Sequence, residues 1–213
     1  MSRCRECPPD PVSWARAPFL YAGAARKALL RLKFSGWRSV AEALGSAMAA
    51  VNRFGTDAVT WVPLGTRRRA ERGYDQARAL ARAAASELDL PVARLLVRRT
   101  ETLPQAAKGA RERRAAMRGA FRVAARDPPR RVLLVDDVLT TGATAAECAR
   151  VLRAAGVREV GLLAAARALR GSLPARCYTR ADSRLGLWLP GGDASVVDAS
   201  RRRSDPRKGT VGS

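Results

Sequence analysis

The sequence predicts an α/β fold in which helices flank a parallel-centred sheet, on three observations. Short apolar runs suited to buried strands, at 58–62, 132–135 and 157–165, alternate with stretches of helical periodicity. Two loops of unusual composition, from Pro63 and from Asp136, each leave the carboxyl end of such a strand, where α/β sheets bind ligands. The length of 213 residues, 47% of them apolar, suits one ordinary α/β domain with appendages.

Residues 1–20 hold a partial Cys knuckle, and 21–168 read as the folded domain. Tyr21 to Phe34 is expected to be helical, with Leu29, Leu30 and Leu32 toward the core and Lys27, Arg31 and Lys33 outside. Ser39 can cap a second helix whose Val40, Leu44, Ala47, Met48 and Val51 share a face. Ala58 to Val62 is a strand stopped by Pro63, and Gly65 to Gly73 reads as a basic loop. A helix over Ala77 to Leu88 precedes strands at Arg94–Arg99 and Gly119–Val123, with a long polar stretch, Thr100 to Arg114, between them. The strand at Val132–Val135, a helix from Thr144 to Ala155 and a core strand over Val157–Ala165 complete the domain. Past about Arg170 the apolar pattern fades, so 169–213 is expected to be a disordered basic tail with one apolar island, Leu185 to Leu189.

Composition narrows the chemistry. The chain contains no histidine, which removes Ser–His and Cys–His catalysis and histidine metal sites together. Cys4 and Cys7 have knuckle spacing, but zinc takes four ligands, and Cys148 and Cys177 are poorly placed to complete a set. Met1 lies three residues ahead of Cys4, so a preceding knuckle is expected to be missing from the chain as written. Stable zinc is not expected, and Cys148 is expected to be a buried helix residue. The net charge of +21 invites a nucleic-acid reading. Against it, 36 of the 40 basic residues are Arg, with lysine only at 27, 33, 108 and 208, which points to compositional bias as well. Neither a signal peptide nor an apolar run of membrane-spanning length is present, so a cytoplasmic protein without membrane insertion is expected.

The most specific segment is Val132-Leu133-Leu134-Val135-Asp136-Asp137-Val138-Leu139-Thr140-Thr141-Gly142-Ala143-Thr144. A small-residue turn at the start of a helix can wrap backbone N–H groups around a phosphate. Carboxylates just ahead of it can accept hydrogen bonds from vicinal hydroxyls. A strand end followed by a capping turn would also use Asp and Thr. Two adjacent carboxylates with no cation between them in the sequence are, however, an odd choice for stability alone.

These thirteen residues resemble the PRPP signature of type I phosphoribosyltransferases. Further segments resemble one branch of that group, the ComF family, named for competence proteins involved in DNA uptake. They are the knuckle Cys4 and Cys7 ahead of Tyr21, Leu32-Lys33-Phe34-Ser35-Gly36, Val62-Pro63-Leu64, Arg72-Gly73-Tyr74-Asp75-Gln76, and Arg98, Thr100, Gln105 and Arg113 before Ala120-Phe121. Asp75 and Ala116 stand where the family usually has Asn, and Lys108 replaces a usual Leu. The charge at Asp75 is expected to disfavour a polyanion nearby.

The resemblance implies a type I phosphoribosyltransferase fold with residues 21–50 as a hood over the acceptor. It implies that Asp136 and Asp137 hold the ribose hydroxyls of PRPP or ribose 5-phosphate, and that Thr140, Thr141, Gly142, Ala143 and Thr144 hold the 5-phosphate. Pyrophosphate would be held at Pro63, Leu64, Gly65 and Arg67, with Arg68, Arg69 and Arg72 adding charge. A flexible loop containing Arg98, Thr100, Gln105 and Arg113 would close over the centre, and Mg²⁺ would accompany PRPP. Three functions stay open: transfer of a phosphoribosyl group to an unidentified acceptor, a noncatalytic DNA-uptake role with single-stranded DNA and the competence helicase machinery as partners, and PRPP sensing.

Overall fold

Residues 11–35, 38–99 and 117–168 are described by a computed structural model. The chain divides into two units, 1–177 and 178–213, and every described residue belongs to the first. The expectations for Cys4, Cys7, Thr100, Gln105, Lys108, Arg113, Ala116, Cys177 and the tail lie outside the described residues.

In chain order the elements are β1 (Trp14–Arg16), β2 (Phe19–Leu20), α1 (Gly23–Ser35), α2 (Arg38–Ala50), β3 (Ala58–Trp61), α3 (Thr66–Arg72), α4 (Gln76–Leu88), β4 (Leu96–Arg98), β5 (Phe121–Val123), β6 (Arg131–Leu139), α5 (Ala143–Ala154) and β7 (Glu159–Arg167). The main sheet has the order β1-β7-β6-β3, all pairs parallel, with β2 also pairing β7. The runs Val132–Val135 and Val160–Ala166 are buried throughout, as strands covered on both faces must be.

Alternation along β6 builds two cores. Val132 and Leu134 pack with Cys148, Ala149 and Leu152 of α5 and with β4–β5. Leu133 and Val135 pack on the other face with Leu29 and Leu32 of α1, Leu44 and Met48 of α2, and Leu80 and Ala84 of α4. Helices α2 and α4 approach closely at Gly45, where an added Cβ would lie 2.3 Å from the Ala83 Cβ. At the amino ends of β3 and β6, Asp57 accepts from the Arg131 backbone N–H at 2.9 Å and from its guanidinium at 2.7 Å, which holds the Asp57 carboxyl below its ordinary pKa.

Several sequence expectations need correction. The segment read as a basic loop contains the helix α3, none of whose residues is buried. It lacks the apolar periodicity from which a helix is recognised, and Gly73 ends it in the left-handed region at φ 75°. Strand β6 does not stop at Val135 but runs on to Leu139. β4 and β5 pair only with each other among the described residues, in antiparallel register. Strands β1 and β2 were not expected.

Candidate functional site

Strands β3 and β6 run side by side in the register Trp61↔Val135, with the Val62 N–H donating to the Val135 carbonyl at 2.9 Å. Because the strands are parallel, Val62 to Gly65 leave β3 beside the last residues of β6, Asp136 to Leu139, and Thr140 to Thr144 follow at the same carboxyl end of the sheet. The two loops singled out by composition therefore meet.

The acidic pair lies within β6, at a local irregularity. Val138 packs with the α1/α2/α4 core and Leu139 with the α5 core, the reverse of what strict alternation from Val132 would give. The backbone N–H of Asp137 donates to Asp136 Oδ1 at 2.8 Å, and that of Val138 to Asp137 Oδ1 at 2.7 Å. The two carboxylates have different neighbours. Burial, then the charge of Asp137, pushes the Asp136 carboxyl well above the usual range. Asp136 in turn adds to the burial that raises the thiol of Cys148 on α5, and Cys148 is fully buried as expected. Asp137 Oδ2 meets Lys33 Nζ of α1 at 2.6 Å. The cation missing from the local sequence is thus supplied from α1, and Lys33, expected to point outward, is only 19% exposed.

Beyond the pair, Gly142 caps α5 in the left-handed region at φ 72°, which an L side chain enters only with strain. The Thr141 hydroxyl accepts from the Ala143 N–H at 3.4 Å. Gly142 and Ala143 are buried, Thr141 and Thr144 half-buried and Thr140 exposed. The expected phosphate residues therefore form one continuous turn at the amino end of a twelve-residue helix.

Across from it, Pro63 and Gly65 are buried and Leu64 is half-buried. Asp75 fastens this loop. Its Oδ2 accepts from Trp61 Nε1 at 3.2 Å and from the Leu64 N–H at 3.3 Å, while Oδ1 caps α4 by accepting from the Arg78 N–H at 3.2 Å. The Leu64 N–H, expected to face pyrophosphate, is committed to Asp75. The carboxylate expected to trouble a nearby polyanion is itself satisfied by three donors. Arg67 pairs with Glu71 at 2.9 Å, whereas Arg72 donates to Gln76 Oε1 at 3.1 Å and lies 5.9 Å from the Phe34 ring centroid. Arg98 belongs to β4, its guanidinium 5.4 Å over Phe121, rather than to the loop that follows. Glu147 of α5, missed in the sequence, accepts from the Gly119 N–H at 2.8 Å and from Arg150 at 2.7 Å. It ties α5 to the residues just ahead of β5, and the Arg150 guanidinium holds its pKa below the ordinary value.

Among the described residues no group of three or more His, Cys, Asp or Glu side chains could hold a metal ion. The two carboxylates at 136 and 137 are hard oxygen donors beside the turn, compatible with an ion that arrives on a ligand's own oxygens. No described helix is long and apolar enough to cross a membrane.

Comparison with known proteins adds family information to this geometry. A family model described as the phosphoribosyl transferase domain matches residues 75–183. Competence protein F of Haemophilus influenzae is 40% identical over 116 residues, covering 53% of this chain and 51% of that protein, so the match spans about half its length. The DNA utilization protein YhgH of Escherichia coli K12 is 32% identical over 168 residues, 74% of each chain. Competence protein ComFC of Streptococcus pneumoniae is 29% identical over 147 residues, 68% of this chain and 64% of its own. Among solved structures, the glutamine PRPP amidotransferase of B. subtilis aligns with a TM-score of 0.42 at 25% identity, over 59% of this chain and 26% of that one.

Proposed function

We propose that this chain, which belongs to the ComF family of phosphoribosyltransferase-fold proteins, binds PRPP and transfers its phosphoribosyl group to an acceptor yet to be identified. The observation that carries the reading is the acid pair Asp136–Asp137 followed within one continuous turn by a left-handed Gly142 and the start of α5. Asp136 and Asp137 accept the ribose hydroxyls, and the turn from Thr140 to Thr144 receives the 5-phosphate. Pro63, Leu64, Gly65 and Arg67 border the pyrophosphate, with the exposed Arg68 and Arg69 offering charge-assisted contacts.

The reaction breaks the bond between the anomeric carbon and pyrophosphate, whose oxygen leaves with the electron pair. A nucleophile forms the new bond from the opposite face through an oxocarbenium-like state. Positioning and electrostatics suffice for such a step, which suits a chain without histidine. Mg²⁺, when bound with PRPP, screens the charge of the departing pyrophosphate. Calorimetric titration with PRPP and Mg²⁺ tests binding, and pyrophosphate release across a panel of acceptors tests transfer. Saturable binding is expected; no heat at millimolar ligand would overturn the site.

A second reading, contact with single-stranded DNA in the cytoplasm, is favoured by the names of the relatives and by the net charge of +21. Such contact would be mainly electrostatic, so affinity should fall steeply between low and physiological salt with little sequence preference. Fluorescence anisotropy across a salt series tests it. Tight binding to one sequence that survives high salt would refute that account.

A further inference from the structure

Helix α1 ends against both halves of the site. Leu29 and Leu32, both essentially unexposed, fix its rotation in the core. That rotation directs Lys33 to Asp137 Oδ2 at 2.6 Å, and the next residue, Phe34, lies beside Arg72 of α3. We infer that Lys33 is a positioning residue of the acid pair, through which the hood helix orients Asp137 for the ligand.

The inference rests on the sugar-phosphate reading of Asp136 and Asp137. With Val138 N–H on Oδ1 and Lys33 on Oδ2, the Asp137 carboxylate is held at both oxygens, so its rotamer is fixed before a hydroxyl arrives. A carboxylate offers about four lone-pair positions, so hydroxyl contacts remain open to it.

A purely stabilising role accounts poorly for the pair. The side chains are 19% and 20% exposed, and at such burial the desolvation of two charges offsets much of their attraction. Composition points the same way. In a chain where 36 of 40 basic residues are Arg, a lysine stands here, making a point contact with one oxygen rather than a fork on two.

The test compares wild type, Lys33→Met and Lys33→Arg by calorimetric titration with ribose 5-phosphate and with PRPP plus Mg²⁺, alongside melting curves. Met keeps the stem and removes the charge, so it should weaken both ligands by about tenfold or more while melting stays within roughly 3 °C of wild type. Arg restores the charge and should recover part of that affinity. A double-mutant cycle with Asp137→Asn guards against folding effects: if Lys33 acts through Asp137, Lys33→Met has little further effect in that background. Unchanged affinity in Lys33→Met, or equal losses with and without Asp137→Asn, would overturn the inference while leaving the site intact. Failure of wild type to bind either ligand would instead sink the site reading, and this inference with it.

Discussion

Replacing Asp75 by Asn, the residue relatives are expected to carry there, should destabilise this chain. All three groups around the carboxylate are donors: Trp61 Nε1, the Leu64 N–H and the Arg78 N–H, at 3.2, 3.3 and 3.2 Å. An Asn side chain has one oxygen, so its NH₂ must face at least one of those N–H groups. A buried donor left without a partner costs about 1–3 kcal/mol, and Trp61 is only 8% exposed. Asp75→Asn should therefore cost roughly 1–3 kcal/mol. Asp75→Ala also removes the α4 cap, adding about 0.5–2 kcal/mol. At about 2–4 °C per kcal/mol for a chain of this size, Asn lowers Tm by roughly 2–12 °C and Ala by more. Differential scanning calorimetry with a urea series reads both numbers. An Asn variant that melts at or above wild type would show that the loop after β3 does not depend on this carboxylate, and the reasoning would fall.

Other substitutions probe the remaining parts. Asp136→Ala and Asp137→Ala should each weaken PRPP binding by roughly 10- to 100-fold in calorimetric titration, the worth of a hydrogen bond to a charged group. Gly161→Ala would place a Cβ 2.0 Å from Trp14 Cζ2, and the overpacking should cost about 1–3 kcal/mol by chemical denaturation. Gly142→Val forces a branched side chain to φ 72° and should lose ribose 5-phosphate affinity. Glu147 has a folded pKa below its ordinary 4.5, so its stabilisation is complete above that value and disappears as pH falls through the folded pKa. The melting difference between wild type and Glu147→Gln should accordingly hold steady from pH 7 to about 5 and close in more acidic buffer.

Strands β3, β6 and β7 were legible because a strand buried on both faces writes itself as an unbroken apolar run. Helix α2 was legible from its spaced apolar face, α4 from its alanine-rich run, and the turn at Thr140–Thr144 from its small residues. Helix α3 was not, since an element that buries none of its residues leaves no hydrophobic period to read. The extension of β6 through Asp136 and Asp137 was hidden because carboxylates normally mark strand ends, whereas here pairing with β7 continues to Leu139↔Arg167. The Lys33–Asp137 contact joins segments far apart in the sequence, and the Asp75–Leu64 contact closes an 11-residue span around α3; no local pattern announces either pair. The scarcity of lysine was the one available hint.

The pairing of β1 and β2 with β7 bears on how the chain is made. The guanidinium of Arg153, just ahead of β7, reaches the Pro11 carbonyl across 142 residues of sequence. Trp14 covers Gly161 in the finished fold, yet Gly161 is synthesised long after it. At about 5–20 residues per second, β1 waits roughly 7–30 s on the ribosome before its partner strand exists. During that interval an aromatic strand is uncovered, and a chain lacking residues 11–20 would leave the same apolar edge of β7 open permanently, a template for association with other copies.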